Sequence, residues 1–221
     1  RVDVMLNRMF PEAICGMGYP MDDLPVLRRI EKHIMPGDLS LMNADFDFFG
    51  LQNYTREVVA HSWFTPYLKA KMIPANKRNV PTTKMNWEIY PEGIFEVLKK
   101  FSSYPFVKKI IITENGASFN DQVIENKVCD YNRRDFIQEY IKQVYYAQKA
   151  GIPVKGYFVW SFTDNFEWSE GYTQRFGLVH IDFETQERII KESGKWYSNF
   201  LKNSDKNEIT SGYSIQNMVD S

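Results

Sequence analysis

Cysteine is scarce. Cys15 and Cys129 are the two in 221 residues. They could pair, but two thiols in a chain of this length fit a reducing compartment better, so a cytoplasmic location is expected. Histidine is almost as rare. His33, His61 and His180 are scattered, and none stands at metal-ligand spacing from a Cys or another His. The expectation is no metal and no cofactor. An excess of one charge is also missing: 27 Lys and Arg face 28 Asp and Glu, for a formal net charge of -1. That gives no footprint for nucleic acid or for an anionic membrane. No apolar run approaches the roughly 18 residues of a membrane span. Nothing at the start reads as a signal peptide, since Arg1 and Asp3 are charged and Met5 to Phe10 is short and polar for a leader core. Arg1 stands where an initiating Met would, so residue 1 is not expected to be the biological start. There is no internal repeat and no low-complexity segment.

What the chain does have is material for a core. Hydrophobic residues make up 43% and aromatics 15%. The length allows one large domain or two small ones. Large flat side chains serve cores, and they also serve sugar rings, whose C–H faces stack on them.

Residues 1–25 read as short helices and loops. Asp22 to Met35 reads as a helix capped by Asp22 or Asp23, with Val26, Leu27, Ile30 and Ile34 on one face. Pro36-Gly37 ends it. Further helices are expected over Pro91 to Phe101, over Asp130 to Ala150 with Gly151 as its stop, and over Lys191 to Leu201. The polar tail from Asn203 should fray. Apolar strands are expected over 46–54, 107–113 and 154–162. Strands alternate with helices and are apolar on both faces, which is the pattern of a parallel sheet covered by helices. Each strand ends at residues able to do chemistry: Tyr54, Glu114, and the run from Trp160. In a (β/α)8 barrel the C-terminal strand ends form the active face. Three strands cannot close a barrel of eight, and an open sheet leaves its edges unpaired.

The most informative run is Ile110-Ile111-Ile112-Thr113-Glu114-Asn115-Gly116. A β-branched apolar stretch stops at a lone carboxylate and an Asn-Gly turn follows, so Glu114 is expected at the mouth of a buried strand. Taken alone, Glu114 could equally cap the next element. The Trp- and Glu-rich stretch from Trp160 to Gly177 is the second unusual segment.

Together these segments resemble the C-terminal half of a glycoside hydrolase family 1 β-glycosidase. Ile112-Thr113-Glu114-Asn115-Gly116 resembles the family's nucleophile motif. Trp160-Ser161-Phe162-Thr163-Asp164-Asn165-Phe166-Glu167-Trp168 resembles its sugar-binding motif, continued through Gly171-Tyr172 and Arg175-Phe176-Gly177-Leu178-Val179 to Asp182. Asp47-Phe48-Phe49-Gly50 with Tyr54-Thr55-Arg56 is similar to its sixth-strand motif, and Trp87-Glu88-Ile89-Tyr90-Pro91-Glu92-Gly93 to a further one. The four follow in order over nearly the whole chain. The resemblance implies an α/β fold, the C-terminal portion (about strands 6–8) of a (β/α)8 TIM barrel, with 1–221 forming part of one barrel domain.

It also implies roles. Glu114 would be the nucleophile of a retaining mechanism, which needs an ionised carboxylate to attack and a second one to protonate the leaving oxygen. Tyr54 would donate to Glu114. Glu167 would accept two hydroxyls of the nonreducing sugar, Trp168 would bind hydroxyls through its indole N–H, and Trp160 would give the stacking floor. Phe176 would line the pocket and Trp87 its entrance. Two departures stand out. The family's Asn-Tyr-Tyr run is Gln52-Asn53-Tyr54 here, so Gln52 replaces the usual asparagine. The Asn-Glu-Pro motif that carries the acid/base glutamate is absent from this sequence. The implied partners are a β-glucoside or oligosaccharide substrate and the missing N-terminal portion of the barrel. A noncatalytic fragment or pseudoenzyme that packs with a partner or binds sugar without turnover is the alternative. Lys191 and Arg188 read as residues of a solvated turn.

Overall fold

The structure is a computed structural model that describes residues 1–43 and 45–203. The tail past Asn203, expected to fray, lies outside the described residues. Three strands make the central sheet: β1 (Phe49–Gln52), β4 (Ile110–Asn115) and β5 (Val154–Val159), in the order β1-β4-β5 and all parallel. They fall on the three expected runs: β1 is shorter at both ends, β4 starts three residues later and runs two further, to Asn115, and β5 stops three residues early. Ile110 and Ile112 of β4 are fully buried, as befits the middle strand of a parallel sheet.

Helices α3 (Glu92–Ser102), α4 (Tyr131–Lys149) and α5 (Glu192–Asn203) pack in that order, α3 on α4 and α4 on α5. Each lies within two residues of its expected bounds. Pro91 stands at the N-cap of α3 and Asp130 at that of α4. Ile94, Leu98 and Phe101 from α3 and Phe136, Ile137, Tyr140, Ile141 and Val144 from α4 recur at helical spacing, so each helix turns one apolar face to the sheet. The result is an α/β fold with a partial, unclosed sheet. Both β1 and β5 are edges. Phe158 on β5 is 59% exposed and Phe48 just before β1 is 45% exposed, so apolar surface stays open where a longer sheet would cover it.

Before the sheet lie a π-helical turn (Val4–Arg8), α1 (Met9–Ile14) and α2 (Asp38–Met42). The segment expected as an amphipathic α-helix from Asp22 is instead a 3-10 helix, Pro25–His33. Neither expected cap works as one: the N-cap is Leu24, while Asp22 pairs with Arg28 at 2.9 Å and Asp23 with Arg8 at 2.8 Å. The segment packs on a small cluster whose buried members are Val4, Leu24 and Leu27. So small a cluster adds little tertiary packing to the weak local preference for an α-helix. Two antiparallel hairpins went unanticipated: β2 (Val59–His61) with β3 (Ala70–Met72), and β6 (Val179–Ile181) with β7 (Arg188–Ile190). Cys15 is buried, Cys129 is exposed, and both are free thiols. No helix among the described residues is long and apolar enough to cross a membrane.

Candidate functional site

Parallel strands run the same way, so their C-terminal ends meet on one side. Glu114 is the penultimate residue of β4, Tyr54 lies two residues past β1, and Trp160 comes directly after β5. The strand ends are joined through Asn115, which is fully buried. Its Nδ2 donates to the Asn53 carbonyl at 2.7 Å and its Oδ1 accepts from Tyr157 Oη at 2.6 Å. Its backbone carbonyl accepts from Trp160 N–H at 2.8 Å. One side chain therefore sets the spacing of all three strand ends. The sequence shows Asn115 only as the neighbour of Glu114. Gly116 lets the β4 and β5 ends approach: a Cβ there would fall 1.8 Å from the Trp160 carbonyl oxygen.

On this base Tyr54 Oη donates to Glu114 Oε2 at 2.6 Å. Burial first, and then the hydrogen bond to Glu114, hold the Tyr54 hydroxyl pKa well above its usual value. Tyr54 therefore stays protonated and remains a donor to the carboxylate. Trp87 and Phe176 complete an aromatic wall. Ring centroids lie 5.5 Å apart for Tyr54 and Trp87, 6.3 Å for Tyr54 and Phe176, and 6.0 Å for Trp87 and Phe176.

Glu167 approaches from the loop after β5. Trp160 Nε1 donates to its Oε1 at 3.2 Å. Burial raises the Glu167 pKa, the Trp160 N–H opposes this, and the charges of Glu114 and Asp164 raise it further. A carboxylate in that position gains from any hydroxyl donor brought to it. Tyr54, Glu114, Trp87, Phe176, Trp160 and Glu167 thus converge on one side of the sheet. Trp168 and Gln52 do not join them closely. Trp168 opens a short 3-10 turn, Trp168–Glu170, and its side chain is 84% exposed. Gln52 is exposed at the end of β1, in register with Glu114 across a bulge, and its side chain makes no hydrogen bond among the described residues.

Two ionic assemblies built on buried carboxylates support the site. Glu88 accepts from Arg56 Nε and Nη2 and from Arg78 Nη2, each at 2.8 Å, and its backbone carbonyl accepts from Thr55 Oγ1 at 3.0 Å. Trp87 is thereby fixed to the chain that follows Tyr54. The second assembly contains Lys191, which is fully buried and not on a solvated turn as the sequence suggested. Its Nζ lies 2.5 Å from Asp121 and 2.8 Å from Asp164. Those carboxylates come from segments distant in the chain, which local polarity does not reveal. Arg188 is exposed as expected, but it opens β7 rather than lying on a turn.

A parallel α/β sheet that stays unclosed and gathers carboxylates and indoles at its strand ends is that of an incomplete barrel-like fold. The chain belongs to glycosyl hydrolase family 1, whose family pattern matches residues 1–206. It is 47% identical over 196 residues to Beta-glucosidase A of Thermotoga maritima, covering 88% of this chain and 43% of that protein. It is 33% identical over 222 residues to a 6-phospho-beta-galactosidase of Clostridium acetobutylicum, covering 89% of this chain and 47% of that one. The solved structure of the AHE enzyme from Alicyclobacillus herbarius superimposes with a TM-score of 0.82 at 37% identity, over 89% of this chain and 44% of that chain. The chain spans less than half the length of these relatives.

Proposed function

We propose that this chain is the C-terminal portion of a retaining β-glycosidase, contributing about strands 6–8 of a (β/α)8 barrel. The whole barrel hydrolyses terminal nonreducing β-D-glucosyl residues by double displacement. Glu114 attacks the anomeric carbon and a glycosyl–enzyme ester forms as the aglycone leaves. The acid/base carboxylate that protonates the leaving oxygen, and then deprotonates the attacking water, comes from the N-terminal portion. Residues 1–221 are one part of that single domain. The observation that carries the reading is the 2.6 Å hydrogen bond from Tyr54 to Glu114 at a strand's C-terminal end. A donor there aims one of its oxygens, leaving the other for the sugar.

Glu167 binds two hydroxyls of the nonreducing sugar and Trp160 stacks beneath the ring. Phe176 lines the pocket and Trp87 its entrance, while Trp168 and Gln52 turn toward the sugar once the barrel is complete. The identity to proteins named beta-glucosidase supports glucose as the sugar.

The test is Glu114→Ala in the complete protein. Turnover of p-nitrophenyl β-glucoside should fall by several orders of magnitude. Formate or azide should restore part of it and give the inverted product. Near-normal hydrolysis by Glu114→Ala refutes the assignment. A sugar-binding protein without turnover predicts no hydrolysis by the unaltered complete protein.

A further inference from the structure

The loop that carries Glu167 is pinched at its base. Asp164 Oδ1 accepts from the Gly177 N–H at 2.9 Å, and a Cβ on Gly177 would sit 2.1 Å from the Asp164 nitrogen. Residues 165–176 are thus gathered above one buried carboxylate. That carboxylate also accepts from Lys191 Nζ at 2.8 Å and from Arg175 Nη1 at 3.2 Å. His180 Nδ1 lies 3.5 Å from Asp164 Oδ2 without a hydrogen bond. Its pKa is lowered by burial first and then by the charge of Arg175, so the ring is neutral and adds no charge.

Lys191 reaches in the other direction to Asp121, at 2.5 Å. Asp121 lies in the loop that follows Glu114. Arg133 makes a parallel link. Its Nη2 is 2.9 Å from Asp121, its Nε donates to the Ala117 carbonyl at 3.2 Å, and its Nη2 donates to the Arg175 carbonyl at 2.5 Å. Arg133 also pairs with Asp130, which accepts from the Ser193 N–H at 2.8 Å. Both Lys191 and Arg133 are fully buried. Three cations, Arg133, Arg175 and Lys191, face three carboxylates, Asp121, Asp130 and Asp164, so the chain of charges is neutral.

We propose that Lys191 is a positioning residue, tying the pinched base of the Glu167 loop at Asp164 to the Glu114 loop at Asp121 and so setting where the sugar hydroxyls sit relative to the nucleophile. The inference rests on the function proposed above. A stabilising ion pair alone needs no two loops of one site. Here the single ammonium bridges the loop that holds the glycone to the loop that follows the attacking group. Replacing a whole buried ion pair by neutral groups is often neutral for stability, so stability alone does not account for this one.

Lys191→Met alone leaves an uncompensated buried negative charge and can fail to fold. The informative variant is Asp121→Asn with Lys191→Met, which keeps the assembly neutral and leaves an acceptor for Arg133. It is compared with the unaltered complete protein on p-nitrophenyl β-glucoside and on its 6-deoxy analogue, the 6-hydroxyl being taken as one of the two that the proposed function assigns to Glu167. A hydrogen bond to a charged group discriminates about 10- to 100-fold between such a pair. The double variant should compress that preference to within about threefold, with KM for the glucoside raised and kcat/KM for the deoxy sugar nearly unchanged. Loss of activity on both sugars by the same factor overturns the positioning role, because a purely structural defect does not distinguish them. An unchanged preference overturns it as well. If the unaltered protein hydrolyses neither glycoside, the proposed function fails and this inference with it, and that result is plainly different from the other two.

Discussion

Replacing Glu88 by Gln removes the charge that joins the Tyr54 segment to the Trp87 loop. The Glu88 side chain is 3% exposed and accepts three guanidinium N–H bonds of 2.8 Å. The Arg56 hydrogen bonds hold its pKa down to about 2 from an ordinary 4.5, against burial and with help from Arg78. By linkage that lowering is worth on the order of 3 kcal/mol at neutral pH. Removing one partner of a buried ion pair costs about 3–5 kcal/mol. Arg56 is 41% exposed, so water screens that half of the assembly and the low end of the range applies. Both routes give about 3 kcal/mol for Glu88→Gln at pH 7. The pH dependence follows from the sign. The folded pKa lies below the unfolded one, so the contribution is fully present above pH 4.5 and disappears as the pH falls toward about 2. The unaltered protein loses this stability on acidification, and Glu88→Gln has none of it to lose. The assay is urea unfolding of both proteins, in complete form, at pH 7, 5 and 3, followed by tryptophan fluorescence. The gap should be equal at pH 7 and 5 and more than half closed at pH 3. A gap below about 1 kcal/mol at pH 7, or one that persists undiminished at pH 3, refutes the reasoning.

Residues 1–221 alone are expected to be inactive and to lack a cooperative melt, because the sheet has two open edges and exposed Phe48 and Phe158; a soluble, monomeric, cooperatively melting chain in sedimentation and calorimetry contradicts this, and coexpression of the upstream half should restore activity. Gly116→Ala should lower soluble yield and weaken glycone binding in the complete protein, since its Cβ meets the Trp160 carbonyl oxygen at 1.8 Å; unchanged KM and Tm would show that the strand ends can part freely. The complete protein should have a higher kcat/KM for p-nitrophenyl β-glucoside than for its 6-phosphate, although one relative is named for a phosphorylated sugar. A phosphate dianion beside Glu167 meets like charge in a partly dried pocket, and a preference for the phosphate would overturn the role given to Glu167.

The sheet and its three covering helices were legible because each is written locally. Ile110 to Thr113 is an apolar run and Val154 to Val159 is largely apolar despite Lys155, both of strand length, while Phe136, Ile137, Tyr140, Ile141 and Val144 repeat at helical spacing. Pro91 and Gly151 punctuate the ends. The grouping of Tyr54, Glu114 and Trp160 was legible from the rule that parallel strands share an end. The hairpins were not, because strands as short as Val59–His61 and Ala70–Met72 carry too few residues for an alternating pattern to register. The 3-10 helix at Pro25–His33 shows the same limit: Val26, Leu27, Ile30 and Ile34 fit one helical face, but periodicity does not say how much core that face will find. Lys191 is the clearest case. A lysine beside Arg188 and Glu192 reads as solvated, and only the fold brings Asp121 and Asp164 to it. Gln52 and Trp168 stand exposed, and the motifs that named them do not specify what the rest of a barrel places against them.

The central claim is that Glu114 forms a bond to the sugar. The direct measurement uses the complete protein, inactivated with a 2-deoxy-2-fluoro-β-glucoside bearing a good leaving group, then digested and mapped by mass spectrometry. The fluorine slows both steps and the activated leaving group restores the first, so the glycosyl ester accumulates. The account predicts one adduct, on the peptide containing Thr113-Glu114-Asn115-Gly116, with the sugar on Glu114 and none in Glu114→Gln. An adduct on another carboxylate such as Glu167, or full hydrolysis of the glucoside with no adduct and an inverted product, contradicts it.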